Sequence, residues 1–161
     1  PYASHYIGAG GVVINSRDEL LVVHEKVGRR GRPRSYKLPG GAVHEGEHLV
    51  EGVVREVYEE TGVRTRFKAL VCLRNLHGYR YGKSDIYFVC RLTPLSREIT
   101  MQTQEIQECI WMPVDEFLGS ESVADFNKWI VNAGLSVPGM GVTSVVGYPA
   151  VGDREFFVSE G

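Results

Sequence analysis

Six short apolar stretches of the chain predict the strands of a β-sheet. They are rich in Val, Ile and aromatic residues and are separated by segments carrying Gly, Pro, Asn or Asp, which is typical of strands. The stretches are Tyr6–Ile14, Glu19–Glu25, Tyr36–Leu38, Arg64–Asn75, Ser84–Leu92 and Cys109–Met112. Because Asn15–Asp18 between the first two is a turn signal, we expect those two strands to form a hairpin.

Within Gly41–Val63, apolar residues recur three and four positions apart, which predicts a helix, and the segment is rich in Glu. Four valines would form one apolar stripe, and Gly62 would supply the left-handed residue that ends the helix. Three carboxylates fall together on nearly the opposite side: Glu56, Glu59 and Glu60. Crowded like charges favour a cation between them, and oxygen ligands suit magnesium, manganese or calcium. The alternative is a solvated acidic face, which the flanking glycines disfavour.

The C-terminal part of the chain predicts two further helices and a short hairpin. Pro113–Leu118 predicts a short helix, and Ser122–Ala133 a longer one that begins with a Ser122/Asp125 capping box and ends at Gly134. Helical spacing places four side chains of the longer helix in the core: Phe126, Trp129, Ile130 and Ala133. In the Gly- and Pro-rich tail two strand-like runs predict a β-hairpin at the sheet edge: Thr143–Tyr148 and Glu155–Ser159.

The acidic stretch also carries a specific motif. It reads Gly41, five residues, Glu47, seven residues, Arg55-Glu56, then Glu59-Glu60 and Gly62-Val63. This pattern resembles the Nudix box of the Nudix hydrolases, with every fixed position filled. The resemblance implies an α/β/α sandwich with a mixed β-sheet, and hydrolysis of a diphosphate linked to another group. We expect one Nudix domain over residues 1–161, with its core at 6–133 and the tail at 134–161.

The resemblance also implies roles for individual residues. The metal ligands would be Glu56, Glu59 and Glu60 with the Gly40 carbonyl, and the expected cofactor is Mg²⁺, with Mn²⁺ as a substitute. Arg55 and Glu47 would orient these groups, and Gly41 and Gly62 would support the loop and the helix end. The residues taken as catalytic are Arg55, Glu59, Glu60 and Glu105, the last as general base on a loop that varies in the family. Glu108 is the substitute candidate for that base.

A basic segment precedes the glycine loop. Lys26–Lys37 contains six of the 18 Lys and Arg residues and no acidic residue. Arginine donates bidentate hydrogen bonds to phosphate oxygens, so the segment is a candidate for phosphate capture. The alternative is a solvated surface loop. The substrate-binding residues expected here are Arg29, Arg30, Arg32, Arg34, Tyr36 and Lys37.

A second candidate binding segment lies at Leu76–Lys83, which the sequence predicts to be a loop. Tyr79 and Tyr81 on it, mixed with cationic side chains, would suit a platform for a base or ribose. Exposed tyrosines on loops also occur without any ligand. Both interpretations stay open at this point.

Three shorter segments indicate which branch of the Nudix hydrolases the chain resembles. They are Gly82–Tyr87, Arg91–Ser96 and Trp111–Pro113. They are similar to the plant ADP-ribose/NADH pyrophosphatase branch and to its animal relative encoded antisense to a fibroblast growth factor. The resemblance therefore favours a small-molecule diphosphate such as ADP-ribose or NADH, whereas the arginine-rich segment favours an inositol pyrophosphate. A third alternative, a non-catalytic nucleotide- or RNA-binding module, predicts broken box carboxylates, and none is broken.

The composition of the chain limits its expected partners and its location in the cell. The net charge is −2 with a pI near 6.2, so nucleic acid is not an expected partner. Cys72, Cys90 and Cys109 are isolated and odd in number, which indicates a reducing compartment. No stretch approaches the about 20 apolar residues of a membrane span. We expect a cytoplasmic protein without a membrane partner. The sequence leaves open whether a leader or a domain before residue 1 was removed. It is also compatible with a homodimer.

Overall fold

The computed structural model describes residues 1–25, 35–104, 106–148 and 152–159, which form nine strands and three helices. The strands are β1 His5–Val13, β2 Glu19–Glu25, β3 Tyr36–Lys37, β4 Gly40–Ala42, β5 Thr65–Arg80, β6 Lys83–Pro94, β7 Ile106–Pro113, β8 Gly141–Val142 and β9 Phe157–Val158. The helices are α1 Leu49–Thr61, α2 Val114–Gly119 and α3 Asp125–Ser136. Helix α1 follows the first four strands, and α2 and α3 follow β7, so the described chain combines strands and helices as an α/β protein does.

The main sheet is mixed. Its strand order is β4-β1-β6-β5, in which β1 runs parallel to β6 and antiparallel to β4. A second, antiparallel sheet has the order β3-β2-β7. Strand β1 pairs with β6 along its whole length and with β4 at Gly8, Ala9 and Gly10, so the backbone of its central part is hydrogen-bonded on both sides.

Two apolar clusters cover opposite faces of these sheets. One contains Val53 and Val57 of α1 together with Ala9 and Val13 of β1. The other joins Val12, from the opposite face of β1, to residues of α2 and α3. Successive strand residues point to opposite faces, so alternate residues of β1 enter different clusters. The predicted α/β/α sandwich with a mixed sheet is confirmed.

The predicted hairpin between the first two strands is wrong. The turn after β1 is present, with Asn15 Oδ1 accepting the Glu19 amide at 3.1 Å. Only the bridge between Ile14 and Leu20 joins the two segments, and β1 and β2 then enter different sheets. Both sides of β1 are already taken by β4 and β6, so β2 pairs with β3 and β7 instead.

The predicted loop at Leu76–Lys83 is also wrong. Strand β5 continues to Arg80 and pairs with β6 from Lys83 onward. The chain turns at Tyr81 and Gly82, whose φ angles are 51° and 71°. Two residues with positive φ form the tight turn that suits a hairpin. In this protein a Tyr-Gly pair takes the place of the Asn-Gly pair that is more common in such turns.

The third helix differs from its prediction at both ends and on its face. Its N-cap is Ala124 without a side-chain cap, so the predicted capping box is wrong, and the helix runs past Gly134 to Ser136. Trp129 is 76% exposed and is not a core residue, whereas Ile130 is buried. The buried face is centred on Gly134, where an added Cβ would lie 2.8 Å from both Cγ atoms of Val12. This close approach fixes the rotation of the helix.

The tail lies along the edge of the main sheet. Met140 exchanges two backbone hydrogen bonds with Leu70 of β5, each 2.8 Å long. Strand β8 then pairs antiparallel with β9. Strand β9 lies within the predicted run Glu155–Ser159, whereas β8 precedes the predicted run Thr143–Tyr148. In the part of the chain that the structure describes, no helix has the length and apolar character needed to cross a membrane.

Candidate active site

Helix α1 is fixed at its C-terminal end by the segment that precedes β7. Gly62 is the C-cap in left-handed geometry, with φ 76°, and an added Cβ there would lie 2.8 Å from the Thr100 nitrogen. The Thr100 amide donates to the Thr61 carbonyl at 2.8 Å, and the Gln102 amide donates to the Glu60 carbonyl at 3.0 Å. The last carbonyls of the helix are therefore satisfied by a neighbouring segment.

Two glycines bring the β4 backbone against the same helix. An added Cβ on Gly40 would lie 2.1 Å from the Ala9 carbonyl oxygen, and one on Gly41 would lie 2.4 Å from Oε2 of Glu56. A side chain at Gly40 would meet backbone atoms, and one at Gly41 would displace the Glu56 carboxylate. The Gly40 amide donates to Oε2 of Glu60 at 3.0 Å. The glycines therefore allow direct contact between the β4 backbone and the carboxylates of α1.

Arg55 organises the other carboxylates. Its Nε and one terminal nitrogen donate to the two oxygens of Glu47, at 2.7 and 2.9 Å. The second terminal nitrogen donates to Glu56 at 2.9 Å and to Glu59 at 3.0 Å. A further bond, 2.9 Å long, reaches the Ala42 carbonyl. All five guanidinium N–H groups thus have an acceptor.

The carboxylates of this cluster differ in their electrostatic environment. The hydrogen bonds from Arg55 lower the pKa of Glu47 to about 2, and these acceptors raise the pKa of Arg55. Burial raises the pKa of Glu60 to about 7, against the Gly40 amide and the charge of Lys37, which lower it. Glu56 and Glu25 add to the rise through their negative charge. Glu60 is therefore the carboxylate that is most costly to ionise without a nearby cation.

The cluster fits a divalent cation in its donor chemistry. Glu56, Glu59 and Glu60 offer only oxygen ligands, and the burial that raises the pKa of Glu60 is a cost that a bound cation would offset. Over the described ranges, however, no three His, Cys, Asp or Glu side chains converge as a ready metal site. Arg55 holds Glu56 and Glu59, and Glu60 accepts from Gly40. The metal-binding role of these residues stays a prediction.

Comparison with known proteins decides the family. The sequence profile of the NUDIX domain matches residues 4–131. The chain belongs to the Nudix family. Nudix hydrolase 2 of Arabidopsis thaliana is 47% identical over 124 residues, which cover 77% of this chain and 45% of the relative. The nucleoside diphosphate-linked moiety X motif 6 protein of Xenopus laevis is 40% identical over 118 residues, or 71% of this chain and 53% of the relative.

These relatives confirm the predicted similarity to plant and animal Nudix proteins. The chain spans about half the length of these two relatives. Among solved structures, the MutT protein of Methanosarcina mazei superposes with a TM-score of 0.68 at 24% identity, over 83% of this chain and 95% of that protein. At this identity the structure supports the Nudix fold alone.

Lys37 and Tyr36 of β3 point to opposite faces of their sheet. Lys37 forms an ion pair with Glu25 and lowers the pKa of Glu60, so it lies on the side of the Nudix helix α1. Tyr36 packs beside His24 with ring centroids 5.2 Å apart, and its hydroxyl donates to Glu108 at 2.9 Å. Only Lys37 of this pair therefore lies beside the acidic cluster.

Glu108, the substitute general base, lies on the face away from the Nudix helix. It is paired with His24 across β2 and β7, and Ile110, two residues further along β7, packs in the cluster formed with α2 and α3. Residues two apart in a strand share a face. Cys109 between them packs in the α1 cluster. This placement argues against Glu108 as the base.

Tyr79 and Tyr81 lie at the far end of the β5–β6 hairpin. The Tyr79 ring meets the Tyr6 ring edge-on at 6.1 Å, and Tyr81 at the turn is 90% exposed. Tyr6 is four residues from Gly10, which faces Gly40 across β1 and β4. At about 3.3 Å per strand residue, Tyr6 lies ~13 Å along β1 from Gly10. The two tyrosines therefore lie away from the acidic cluster, and their role in substrate binding stays a prediction.

Several predicted site residues lie outside the described residues. They are Glu105, Arg29, Arg30, Arg32 and Arg34. One residue that the sequence analysis did not consider is Glu25, which pairs with Lys37 and raises the pKa of Glu60. Its position at the end of an apolar strand, directly before the basic segment, was the available signal.

Proposed function

We propose that the protein hydrolyses the diphosphate of a nucleoside diphosphate derivative, such as ADP-ribose or NADH, with Mg²⁺ as cofactor. The observation that carries this proposal is the set of four carboxylates gathered on the glycine loop by Arg55 and the Gly40 amide. The name of the Xenopus relative, which refers to a nucleoside diphosphate-linked moiety, supports the same substrate class.

The chain supplies distinct groups for this reaction. Water attacks one phosphorus, the new P–O bond forms, and the bridging oxygen leaves on the other phosphate. Glu56, Glu59 and Glu60 would hold Mg²⁺, with the Gly40 carbonyl as a further ligand; a bound Mg²⁺ neutralises phosphate charge and lowers the pKa of water. Arg55 keeps Glu56 and Glu59 in position. Tyr79 and Tyr81 would contact the base or ribose.

The main test measures, with Mg²⁺ present, monophosphate release from ADP-ribose, NADH and diadenosine polyphosphates and release of inorganic phosphate from an inositol pyrophosphate. Glu60→Gln and Glu59→Gln keep the size of the side chain and remove its charge, so turnover should fall about 100-fold or more. Glu45→Gln, at an exposed position of the loop before the helix, is the matched control and should retain turnover. Unchanged turnover in Glu60→Gln would contradict the proposed site.

The general base is tested by a second pair of variants. We propose Glu105 for this role, and Glu108 offers a matched control because its carboxylate lies on the opposite sheet face beside Tyr36. Glu105→Gln should lower kcat by about 100-fold, whereas Glu108→Gln should leave it nearly unchanged. A loss in Glu108→Gln alone would show that the assignment is wrong.

An inositol pyrophosphate is the second candidate substrate, favoured by the arginine-rich segment of the sequence. A substrate with many phosphates would gain contacts there that ADP-ribose, with two phosphates, does not need. Replacing Arg29, Arg30, Arg32 and Arg34 by Ser should raise KM for an inositol pyrophosphate and weaken its salt dependence. ADP-ribose turnover should be nearly retained, and an equal loss on both substrates would contradict a role in substrate choice.

A further inference from the structure

The N-terminus of the Nudix helix is capped from a distant part of the chain. His48 occupies the N-cap position with φ −69° and ψ 149°, and its side chain makes no capping bond. The amide of Leu49, the first helical residue, instead donates to Oε1 of Glu155. The two residues are 106 positions apart. A carboxylate at this end of a helix satisfies an otherwise free amide and interacts favourably with the helix dipole.

Glu155 lies in a part of the tail that is held on three sides. The Phe157 ring meets the Phe67 ring edge-on at 6.0 Å, and β9 pairs with β8. Met140, next to β8, is bonded to Leu70 of β5 through two backbone hydrogen bonds. The Nudix profile ends at residue 131, so the cap comes from outside the matched region.

A cavity of about 350 Å³ separates the tail from the first turn of α1. Its lining includes His48, Val50, Phe67, Arg154 and Glu155. Side chains around an open cavity give a helix less support than a packed interface does. The bond between Glu155 and Leu49 therefore restrains this turn of the helix in addition to the packing of the Leu49 side chain in the α1 cluster.

The restrained turn adjoins the residue that orients Arg55. Glu47 lies two positions before Leu49, accepts the His44 amide at 3.0 Å and forms two bonds with Arg55. A shift of the first turn would move Glu47 and, through Arg55, the carboxylates of Glu56 and Glu59. We infer that Glu155 is a positioning residue of the active site, which fixes the start of the Nudix helix. This inference rests on the proposed hydrolase function.

Amide hydrogen exchange tests the cap without any assay of activity. In Glu155→Ala the amide of Leu49 should exchange about fivefold faster or more, the effect of losing one N-terminal cap. Amides of the last turn of α1 should keep their protection. Glu155→Gln keeps an acceptor oxygen, so its Leu49 exchange rate should lie between those of wild type and Glu155→Ala. Asp153→Ala removes a negative charge at an exposed position nearby and should leave the Leu49 exchange rate unchanged. An unchanged Leu49 exchange rate in Glu155→Ala would contradict the capping role of Glu155.

Steady-state kinetics test the positioning role. Glu155→Ala should lower kcat about fivefold with little change in KM, because Glu155 bonds to the Leu49 amide and the described residues that line its cavity include no proposed substrate-binding residue. Adding His48→Asp to this variant supplies an N-cap acceptor within the helix segment, and should restore kcat and slow first-turn exchange. A change in KM alone, or restored exchange without restored kcat, would overturn the role.

The two proposals fail in different ways. A wild-type protein that hydrolyses no member of the diphosphate panel would overturn the proposed function. An active protein with unchanged kcat in Glu155→Ala would overturn only the positioning role. Equal unfolding midpoints of Glu155→Gln and wild type exclude loss of fold as the cause of a kcat difference between them.

Discussion

At the scale of single residues, Arg55 is not replaceable by another cation. Its planar guanidinium meets two oxygens of Glu47 side by side and still reaches Glu56, Glu59 and the Ala42 carbonyl. A lysine offers three donors from one point and cannot span these acceptors. The sequence motif requires an arginine at this position because the geometry of the site requires a fork of donors.

Glu47 gives this arrangement a measurable pH dependence. Its pKa is about 2 in the folded protein and 4.5 in the reference state. The folded pKa is the lower one, so the stabilisation is fully present above pH 4.5 and is lost as the pH falls towards 2. Glu47→Gln should therefore lower the free energy of unfolding by about 1–3 kcal/mol at pH 7, and by less at pH 3. Urea unfolding at both pH values measures the difference.

The control for this experiment is Glu51→Gln, at an exposed position in the first turn of the same helix. It should change the free energy of unfolding by no more than about 0.5 kcal/mol at either pH. A Glu47→Gln effect of equal size at pH 7 and pH 3 would show that shape, and not charge, connects Glu47 to Arg55.

At the scale of secondary structure, the sequence is informative where one local pattern decides the outcome. The valine stripe of α1 and the left-handed glycine at its end are both local. Gly62 ends the helix as predicted, and Val53 and Val57 of the stripe are buried, with Val50 and Val54 half-buried beside them. The hairpin after β1 and the face of α3 depend on partners far away in sequence. Val12 packs against Gly134, and this contact, not the spacing of aromatic residues, sets the rotation of α3.

The rotation of α3 predicts that truncating two adjacent apolar residues lowers the free energy of unfolding by very different amounts. Trp129 is 76% exposed, whereas Ile130 is 5% exposed and packs in the core cluster. Ile130→Ala should lower the free energy of unfolding by about 2–5 kcal/mol because it leaves a cavity. Trp129→Ala should change it by about 0.5 kcal/mol or less. Chemical denaturation of both variants tests this, and a larger loss for Trp129→Ala would contradict the orientation of the helix.

The candidate site is predictable from the sequence only in part. The motif identifies the carboxylates and places Glu56, Glu59 and Glu60 on one side of a helix. It does not show that the Gly40 amide bonds to Glu60, or that burial raises the pKa of Glu60 to about 7. It also gives no sign of Glu155. These features arise from contacts between segments that are 20 to 106 residues apart.

At the scale of the whole molecule, the segment after residue 131 connects the two helical layers. It leaves the end of α3 on one face of the sheet, pairs with β5 at the edge, and reaches the start of α1 on the other face. The Nudix profile does not cover this segment. The tail therefore adds a connection across the sheet to the fold that the family shares.

The connection begins at Arg91 of β6, which gives a prediction for the whole molecule. Its guanidinium donates to the carbonyls of Gly134, Val137 and Pro138, at the end of α3 and just beyond it. Arg91→Met keeps the apolar stem and removes these donors. We expect the free energy of unfolding to fall by about 2 kcal/mol, measured as a lower urea midpoint at an unchanged m value.

Arg17→Met, at an exposed position in the turn after β1, is the matched control and should change the free energy of unfolding by about 0.5 kcal/mol or less. Arg91→Lys retains one cationic donor group and should recover part of the loss, since a single ammonium cannot reach three carbonyls in different directions. If Arg91→Met unfolds at the wild-type midpoint, the end of α3 is held by core packing, including the contact of Gly134 with Val12, and not by these hydrogen bonds. Arg91 would then contribute nothing to the link between the sheet and the tail.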